Sequence, residues 1–465
     1  MEVRMNKMRS IFLGSAAFLV AATGAQAADM MMDVKAPREP VYRCDITGFI
    51  ELPGTDICFK VGGFARLVVV GGQDNWAFVD EFYRPDFIIP DGHTLNDTLE
   101  MYGQGRVNFD ARTSTEYGTV RAFIEIQATD NDTRTGGPAS LRHAFVQFGN
   151  WTFGKTWSTF LHLDSSASTT DPYVLVGDNF MRRNQIRYTQ SFGNGFSLSV
   201  AIEDQEYNNP GAILATGIYA TPPAPNFVVN DRNSMPDVVA NIRVDGDWGN
   251  AQLSGAIHNN EFREVAGNGL APAPLAGNQT DSEIGWAALF GLVINTPSIG
   301  EGDFFSFKAI YTDGAHQYYQ DSWAGGANVV WGLCNWVVPA LGGCITDTVT
   351  TWSVMANFTH NWTPTFNTTI GGGYGQVSVP TTQLNFFAPL AGFATDQEVD
   401  TWDVYLDFAW TPVPRTTFQV DLVYGNIDLN GSGTFGGTFT PYFFNPLAND
   451  SDGAFSAAFQ VTRSF

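Results

Sequence analysis

The sequence predicts an all-β protein, an up-and-down antiparallel barrel of 16 strands that crosses a membrane. Three observations predict it: segments of about ten residues that alternate apolar with polar side chains, connections that are alternately short and long, and a composition typical of strands and turns. The 465 residues include 48 glycines, and 14% are aromatic whereas only 15% are charged. This balance favours short strands over a helical enzyme.

The alternation begins at Val61 and recurs to the end of the chain. In the first segment Val61, Leu67 and Val69 share one face and Arg66 lies on the other. Period-two alternation gives a sheet with one apolar and one polar face. These apolar faces recur in too many segments for one soluble core. No segment after the N-terminus is apolar enough to span as a helix, so the sequence predicts a closed barrel with its apolar side in lipid.

The connections set the number of strands. Long connections are predicted near residues 71–100, 129–140, 158–183, 204–236, 259–283, 313–350, 377–400 and 428–452. Short ones are predicted at residues 113–118, around 150, at 192–195, at 245–250, near 297, at 362–364 and at 410–415. Eight long and seven short connections join 16 strands and leave both chain ends on one side. Short periplasmic turns and long external loops are typical of bacterial outer-membrane barrels.

The N-terminus has the three parts of a cleavable secretory signal. Arg4, Lys7 and Arg9 precede an apolar stretch over 11–22, which is followed by Ala25-Gln26-Ala27. The stretch is shorter than the ~20 residues of a spanning helix, which disfavours a membrane anchor. We therefore expect a signal peptide over residues 1–27, an N-terminal periplasmic segment over 28–60 and the barrel over 61–465.

Charge excludes one class of partner. The formal net charge is −23, and removal of residues 1–27, which hold one acid and three bases, makes it about −25. Nucleic acid needs a basic surface, so the sequence predicts no nucleic-acid partner. Such acidity suits long solvated loops and would concentrate cations near a pore mouth.

The four cysteines form two local pairs, Cys44 with Cys58 and Cys334 with Cys344. An exported chain meets an oxidising compartment, so two small-loop disulfides are predicted. A zinc site is the alternative, but no histidine lies near either pair. The six histidines show no metal-ligand spacing, and no nucleophile elbow, phosphate-binding loop or dinucleotide fingerprint occurs in the strand-to-helix context that it requires. The sequence therefore predicts no metal, no cofactor and no enzyme.

The last strand ends in a terminal aromatic residue, Phe465, after an alternating segment over residues 455–465. A terminal phenylalanine on such a strand resembles the signal by which outer-membrane barrels are recognised for insertion. Arg463 stands where an apolar side chain is usual, but a charge at the membrane rim costs only ~0 to 1 kcal/mol. Phe465 is therefore predicted to be an assembly signal.

Several local segments are similar to the trimeric porin family of alphaproteobacteria. They are the leader ending at residues 25–28, the Cys44 and Cys58 pair around residues 53–55, residues 145–149 running into 154–156, and residues 236–245 and 248–252. The resemblance covers most of the chain and is strongest in its first 260 residues. It implies a homotrimer in outer-membrane lipid of a Gram-negative bacterium. It also implies a water-filled lumen through which ions and small hydrophilic solutes diffuse.

The resemblance also implies that the third long loop folds into the barrel and narrows it. This loop carries acids, and arginines on the polar strand faces are their counterparts. The predicted constriction residues are Asp164, Asp171, Asp178, Arg66, Arg106, Arg112 and Arg121. Opposed charges across a narrow waterway would orient dipolar solutes. The alternative for each residue is a solvated lumen side chain with no role in selectivity.

Three other functions are also compatible with the sequence. A substrate-specific channel with a sugar or anion site would be favoured by aromatic residues along the polar strand faces, and the sequence shows no such run. An outer-membrane enzyme usually needs fewer strands, with catalytic groups at the rim. An adhesin could use the acidic loops as its surface. Net acidity favours a weak preference for cations, which the arginines would offset.

Overall fold

The computed structural model describes residues 44, 46–72, 98–130, 139–170, 175–205, 227–230, 235–265, 280–319, 329–334, 344–379, 397–430 and 451–465. Residues 46–465 form one structural unit. The predicted signal peptide and the predicted mature N-terminus lie outside the described residues. No helix in the described part of the chain is long and apolar enough to cross a membrane.

The described residues are almost entirely strand, as the alternation predicts. The strands are β1 (Ile50–Glu51), β2 (Cys58–Gly72), β3 (Thr98–Thr115), β4 (Gly118–Thr129), β5 (Ser140–Phe148), β6 (Trp151–Trp157), β7 (Arg182–Gly193), β8 (Phe196–Glu203), β9 (Phe227–Asn230), β10 (Asp237–Gly246), β11 (Gly249–Val265), β12 (Thr280–Asn295), β13 (Phe304–Asp313), β14 (Val329–Cys334), β15 (Cys344–Thr348), β16 (Thr350–Thr363), β17 (Phe366–Val379), β18 (Gln397–Val413), β19 (Thr416–Asn430) and β20 (Ser451–Ser464). Two short 3-10 helices span Leu163–Ser165 and His316–Tyr318.

Sixteen of these strands form one closed antiparallel ring, namely β2–β8, β10–β13 and β16–β20. The ring closes because β20 pairs with both β19 and β2: Val461 lies opposite Phe418 on one side and Leu67 on the other. Closure leaves no ring strand with an unpaired edge. Of the other described strands, β1 pairs with β2, β9 pairs with β11, and β14 and β15 form a separate hairpin.

The predicted connections are confirmed. Each long and each short connection between ring strands falls within or beside its predicted range. The third short turn is Gly193-Asn194-Gly195, whose φ angles are 84°, 53° and 80°. Glycine adopts this left-handed conformation at little cost, and asparagine tolerates it, so the chain reverses within two residues between β7 and β8.

Burial is the reverse of that in a soluble barrel or sandwich. Apolar side chains on one strand face are exposed, as at Leu67 (40%) and Ile124 (43%), whereas polar side chains on the other face are buried, as at Asp110 (6%) and Gln127 (4%). The outer surface is therefore apolar and the inner surface polar, which is how a barrel meets lipid outside and water inside. Trp362 and Trp410, beside two short turns, are exposed at 61% and 48%, where an interfacial aromatic belt would lie.

The cysteine pairs differ in what the structure describes. Cys44 and Cys58 are both disulfide-bonded, as predicted. Cys334 of β14 and Cys344 of β15 are directly opposite Cα partners in the hairpin. A disulfide between these two remains a prediction.

Candidate functional site: the inner wall of the barrel

One half of the inner wall, formed by β2–β7, is rich in arginine. Among its inward-facing residues are the four arginines predicted from the sequence: Arg66, Arg106, Arg112 and Arg121. Arg142 of β5 and Arg182 of β7 join them and were missed by sequence reasoning. Arg142 lies at a register shift of β5 against β4, so simple alternation cannot assign its face, and Arg182 falls in a predicted loop.

Two carboxylates organise these arginines. Asp110 accepts hydrogen bonds from Arg112 (2.7 Å) and from Arg121 (2.9 Å). The two arginines are cross-strand partners, so one acid bridges both. Charge-assisted pairs of this kind hold guanidinium groups in fixed orientations.

A second carboxylate, that of Glu125, also pairs with two arginines of the wall. Glu125 lies 3.2 Å from Arg142 Nε and 3.6 Å from Arg106. Arg106 also donates to Gln127. Four of the six arginines thus pair with two acids. This half of the wall, called here the arginine wall, carries an excess of positive charge among its described residues.

Aromatic rings alternate with these arginines on the inner face. The Phe64 ring has Arg66 at 4.2 Å from its centroid and Arg106 at 4.5 Å. Phe123 and Phe145 stack with centroids 5.3 Å apart. The expectation that the polar strand faces carry no run of aromatics is therefore wrong. The reason is that these rings are spread over neighbouring strands, so they become a series only when the sheet forms.

Further along, the arginine wall ends in a similar contact. Arg121 lies 4.8 Å from the Phe123 centroid, and Arg182 lies 3.7 Å from that of Trp157. A guanidinium over an aromatic face is attracted by the ring quadrupole. The guanidinium groups are thereby stacked on aromatic rings along the wall, which limits their movement in the lumen.

The chain after β6 is called here the third loop (residues 158–181), and its described residues are hydrogen-bonded to side chains of the other half of the wall. Its hydrogen-bond partners lie successively on β8, β10, β11, β13, β16, β18 and β19. They are Glu203, Asn241, Gln252, Lys308, Asn357, Tyr405, Asp403, Gln419 and Asp421. The loop is therefore attached to polar side chains of seven strands.

Three of these partners are carboxylates that sequence reasoning did not single out. Glu203 accepts the Ser158 hydroxyl and the Thr159 N–H, each at 2.7 Å. Asp403 accepts the Val176 N–H at 2.5 Å, and Asp421 accepts the Thr170 N–H. The available signal was an acid on the polar parity of a predicted strand, because a carboxylate that faces the inside of a barrel needs partners.

The predicted loop acids are also paired within this half of the barrel. Asp164 lies 2.5 Å from Arg243 of β10, and Asp178 lies 3.0 Å from Lys308 of β13. Neither is paired with a residue of the arginine wall. Asp171 lies outside the described residues.

The loop histidine is held as a neutral hydrogen-bonding group. His162 contacts Ser165 Oγ at 2.8 Å through Nδ1 and Asn250 Oδ1 at 2.7 Å through Nε2. Burial lowers its pKa, since desolvation disfavours the charged form. In the described part of the chain, no group of three or more His, Cys, Asp or Glu side chains could hold a metal ion.

Known proteins resemble this chain in sequence and in fold. Porin Omp2b of Brucella melitensis is 29% identical over 255 residues, which cover 52% of this chain and 63% of that protein. Porin Omp2b of Brucella suis matches over the same extent. The match thus spans less than two thirds of these relatives.

Among solved structures, the outer membrane channel DcaP of Acinetobacter baumannii has a TM-score of 0.60 at 18% identity, with 88% of this chain and 97% of that chain covered. This likeness shows the fold. A family model described as a porin subfamily matches residues 29–449. The chain therefore belongs to the porin family and is an outer-membrane β-barrel.

Proposed function

We propose that the chain forms a passive, water-filled channel for ions and small hydrophilic solutes, and that it acts without catalysis. The observation that carries the proposal is the closed ring of 16 strands with an apolar outer face and a buried polar inner face. Only a barrel whose lumen holds water, or a polar plug, satisfies so many inward polar groups. Solutes would cross by diffusion, with no energy source.

The third loop would narrow this channel. Its bonds to β8–β19 support a course along the inner face of the wall, opposite the arginine wall. Because Asp164 and Asp178 are paired with Arg243 and Lys308, the field across the gap would come mainly from the arginine wall. We propose Arg66, Arg106, Arg112 and Arg121 as pore-lining residues, with Asp164, Asp171 and Asp178 on the loop side.

The remaining features belong to export and assembly. We propose a signal peptide over residues 1–27, a periplasmic segment over 28–60 and a barrel over 61–465. The barrel would form a homotrimer through parts of its apolar outer face and contact lipid with the rest. It would bind no nucleic acid.

Planar-bilayer recording of the purified protein tests this function. We expect ohmic conductance that appears in groups of three equal steps, because three pores would insert together. Heat-unfolded protein in the same detergent is the control and should be silent. A silent bilayer with correctly folded protein would contradict the channel and favour an enzyme or adhesin.

A second candidate is a channel that selects anionic, planar solutes, and the arginine and aromatic side chains of the inner wall favour it. Arg121 lies over both Phe123 and Phe145, so a carboxylate and a flat ring could be recognised together. We expect benzoate to block the current more strongly than cyclohexanecarboxylate, which has similar size but no π face.

Two variants separate charge from stacking in this candidate. Arg121→Lys keeps the positive charge but removes the planar group, and Phe123→Leu removes the ring. Both should reduce the difference between the two carboxylates. Equal block by both carboxylates in the wild-type channel would leave only the general diffusion channel.

A further inference from the structure

Two carboxylates meet on the inner face of the wall, beside the third loop. Asp407 of β18 and Asp421 of β19 are directly opposite partners in the antiparallel pair. Both side chains are completely buried. Opposite residues in such a pair have Cβ atoms ~4.5–5.5 Å apart, so the two acidic groups are near neighbours.

Neither acid has the cationic partner that a buried carboxylate usually has. Both oxygens of Asp407 and Oδ1 of Asp421 accept no well-formed hydrogen bond. Neither residue forms an ion pair with any described side chain. Asp403, four residues before Asp407 on the same face, is different: it accepts the backbone N–H groups of Val176 and Gly373. Two adjacent buried carboxylates repel each other strongly, so the pair holds either a shared proton, which joins the two side chains in a hydrogen bond, or a cation.

The third loop adds more oxygen at the same place. Thr170 donates its N–H to Asp421, and its hydroxyl lies beside that carboxylate. This hydroxyl is buried and makes no well-formed hydrogen bond. The Gln419 side chain also adjoins both acids. The Gln419 amide faces them as a donor, which leaves carboxylate and hydroxyl oxygens without competing cationic groups. Such oxygens are the ligands that hard divalent cations prefer.

We propose that Asp407, Asp421 and the Thr170 hydroxyl bind a divalent cation, with Ca²⁺ the best fit. Ca²⁺ accepts irregular geometry and mixed protein and water ligands, whereas Mg²⁺ demands near-ideal octahedral geometry. The cation neutralises the acid pair and ties the third loop to β19. This site goes beyond conduction, and its test does not depend on whether the barrel conducts.

Thermal unfolding of the full-length protein tests the site. The protein is refolded from inclusion bodies into detergent, so that no lipopolysaccharide carries calcium into the sample. We expect millimolar CaCl₂ to raise the unfolding midpoint by at least about 2 °C relative to EDTA at equal ionic strength, because a ligand that binds only the folded state stabilises it.

Three variants locate the effect. Asp407→Asn and Asp421→Asn should abolish the calcium shift and should fold in EDTA at least as well as the wild type, because each removes charge repulsion. Asp403→Asn is the matched control: it weakens a loop anchor on the same strand face but should keep the shift. An undiminished shift in the double variant Asp407→Asn/Asp421→Asn would overturn the proposal.

Terbium luminescence supplies a direct readout. Tyr405 lies two residues from Asp407 on the same face and can sensitise Tb³⁺ bound there. We expect sensitised emission that Ca²⁺ displaces and that both Asn variants lose. If the wild-type protein shows neither emission nor a calcium shift, protons neutralise the pair and the cation site is excluded.

Discussion

More charged side chains of the inner wall are fixed by ion pairs than the sequence indicates. Asp110 bridges Arg112 and Arg121. The loop acids Asp164 and Asp178 form ion pairs with a basic side chain of β10 and of β13, respectively. A bidentate or bridged arginine keeps its position and part of its field. The selectivity of the pore would therefore depend on which charges remain in excess, and the arginine wall has that excess.

His316 is a single residue with a clear dependence on pH. It lies in the connection between β13 and β16, is fully buried and contacts Thr351 Oγ1 at 2.8 Å. Burial lowers its pKa to about 4 from 6.5. Between these two pKa values His316 binds a proton in the unfolded chain but not in the folded chain. The stability of the fold therefore falls as pH drops from about 6.5 towards 4.

We expect the wild-type protein to unfold at lower temperature at pH 5 than at pH 7, with His316 contributing at most about 2 kcal/mol of the loss between these pH values. His316→Gln keeps a group that can bond Thr351 and has no proton to gain, so its loss between these pH values should be smaller. Thermal melts followed by circular dichroism measure it. Equal losses in both proteins would show that His316 does not contribute to the loss of stability at low pH.

The turn between β7 and β8 shows how a glycine allows two neighbouring turns at the end of the barrel to pack closely. In the turn between β7 and β8, Gly193 and Gly195 both have positive φ, but their surroundings differ. A Cβ on Gly193 would meet nothing within 4 Å, whereas a Cβ on Gly195 would lie 1.8 Å from the Asp245 carbonyl oxygen. The second glycine thus lets two neighbouring turns approach, which also allows the bond from Asp245 N–H to the Gly195 carbonyl at 3.1 Å.

These two glycines make a matched pair of substitutions. Gly193→Ala should cost about 1 kcal/mol, the ordinary cost of a left-handed alanine. Gly195→Ala should cost clearly more, because a backbone carbonyl must move and the bond between the turns is lost. Unfolding midpoints in urea measure both, and equal losses would contradict the close approach.

The whole barrel depends on the seam between its first and last ring strands. β2 pairs with β20 over nine residue pairs from Phe64 with Ser464 to Gly72 with Ser456. Phe465 extends this seam, since its N–H donates to the Gly63 carbonyl at 3.1 Å. The terminal residue therefore has a backbone role in closure that any residue except proline could fulfil.

This distinction allows the assembly signal to be tested apart from closure. Phe465→Ala keeps the backbone bond, so the variant refolded in detergent should melt within about 1 °C of the wild type, because the lost ring is exposed and buries little apolar area. In cells, the same variant should reach the outer membrane in lower yield. Equal yields in cells would remove the signalling role.

The sequence by itself determined the class, the strand number, the connections and the outward faces. It did so because period-two alternation and turn chemistry are local, and the sequence of each strand indicates which of its faces meets lipid. Val61, Leu67 and Arg66 illustrate this, since their faces follow from spacing alone. Cys44 and Cys58 were likewise predictable, as a local pair in an exported chain.

Only the tertiary structure decided which side chains meet. Arg142 joins the arginine wall through a register shift, Phe64 and Phe123 belong to a series that spans several strands, and Asp407 faces Asp421 because β18 and β19 pair in one register. Each depends on strand pairing or on the course of the third loop, which brings residues up to 251 positions apart into contact. Alternation within one strand carries no information about such contacts, because partners across a sheet are set by register and closure.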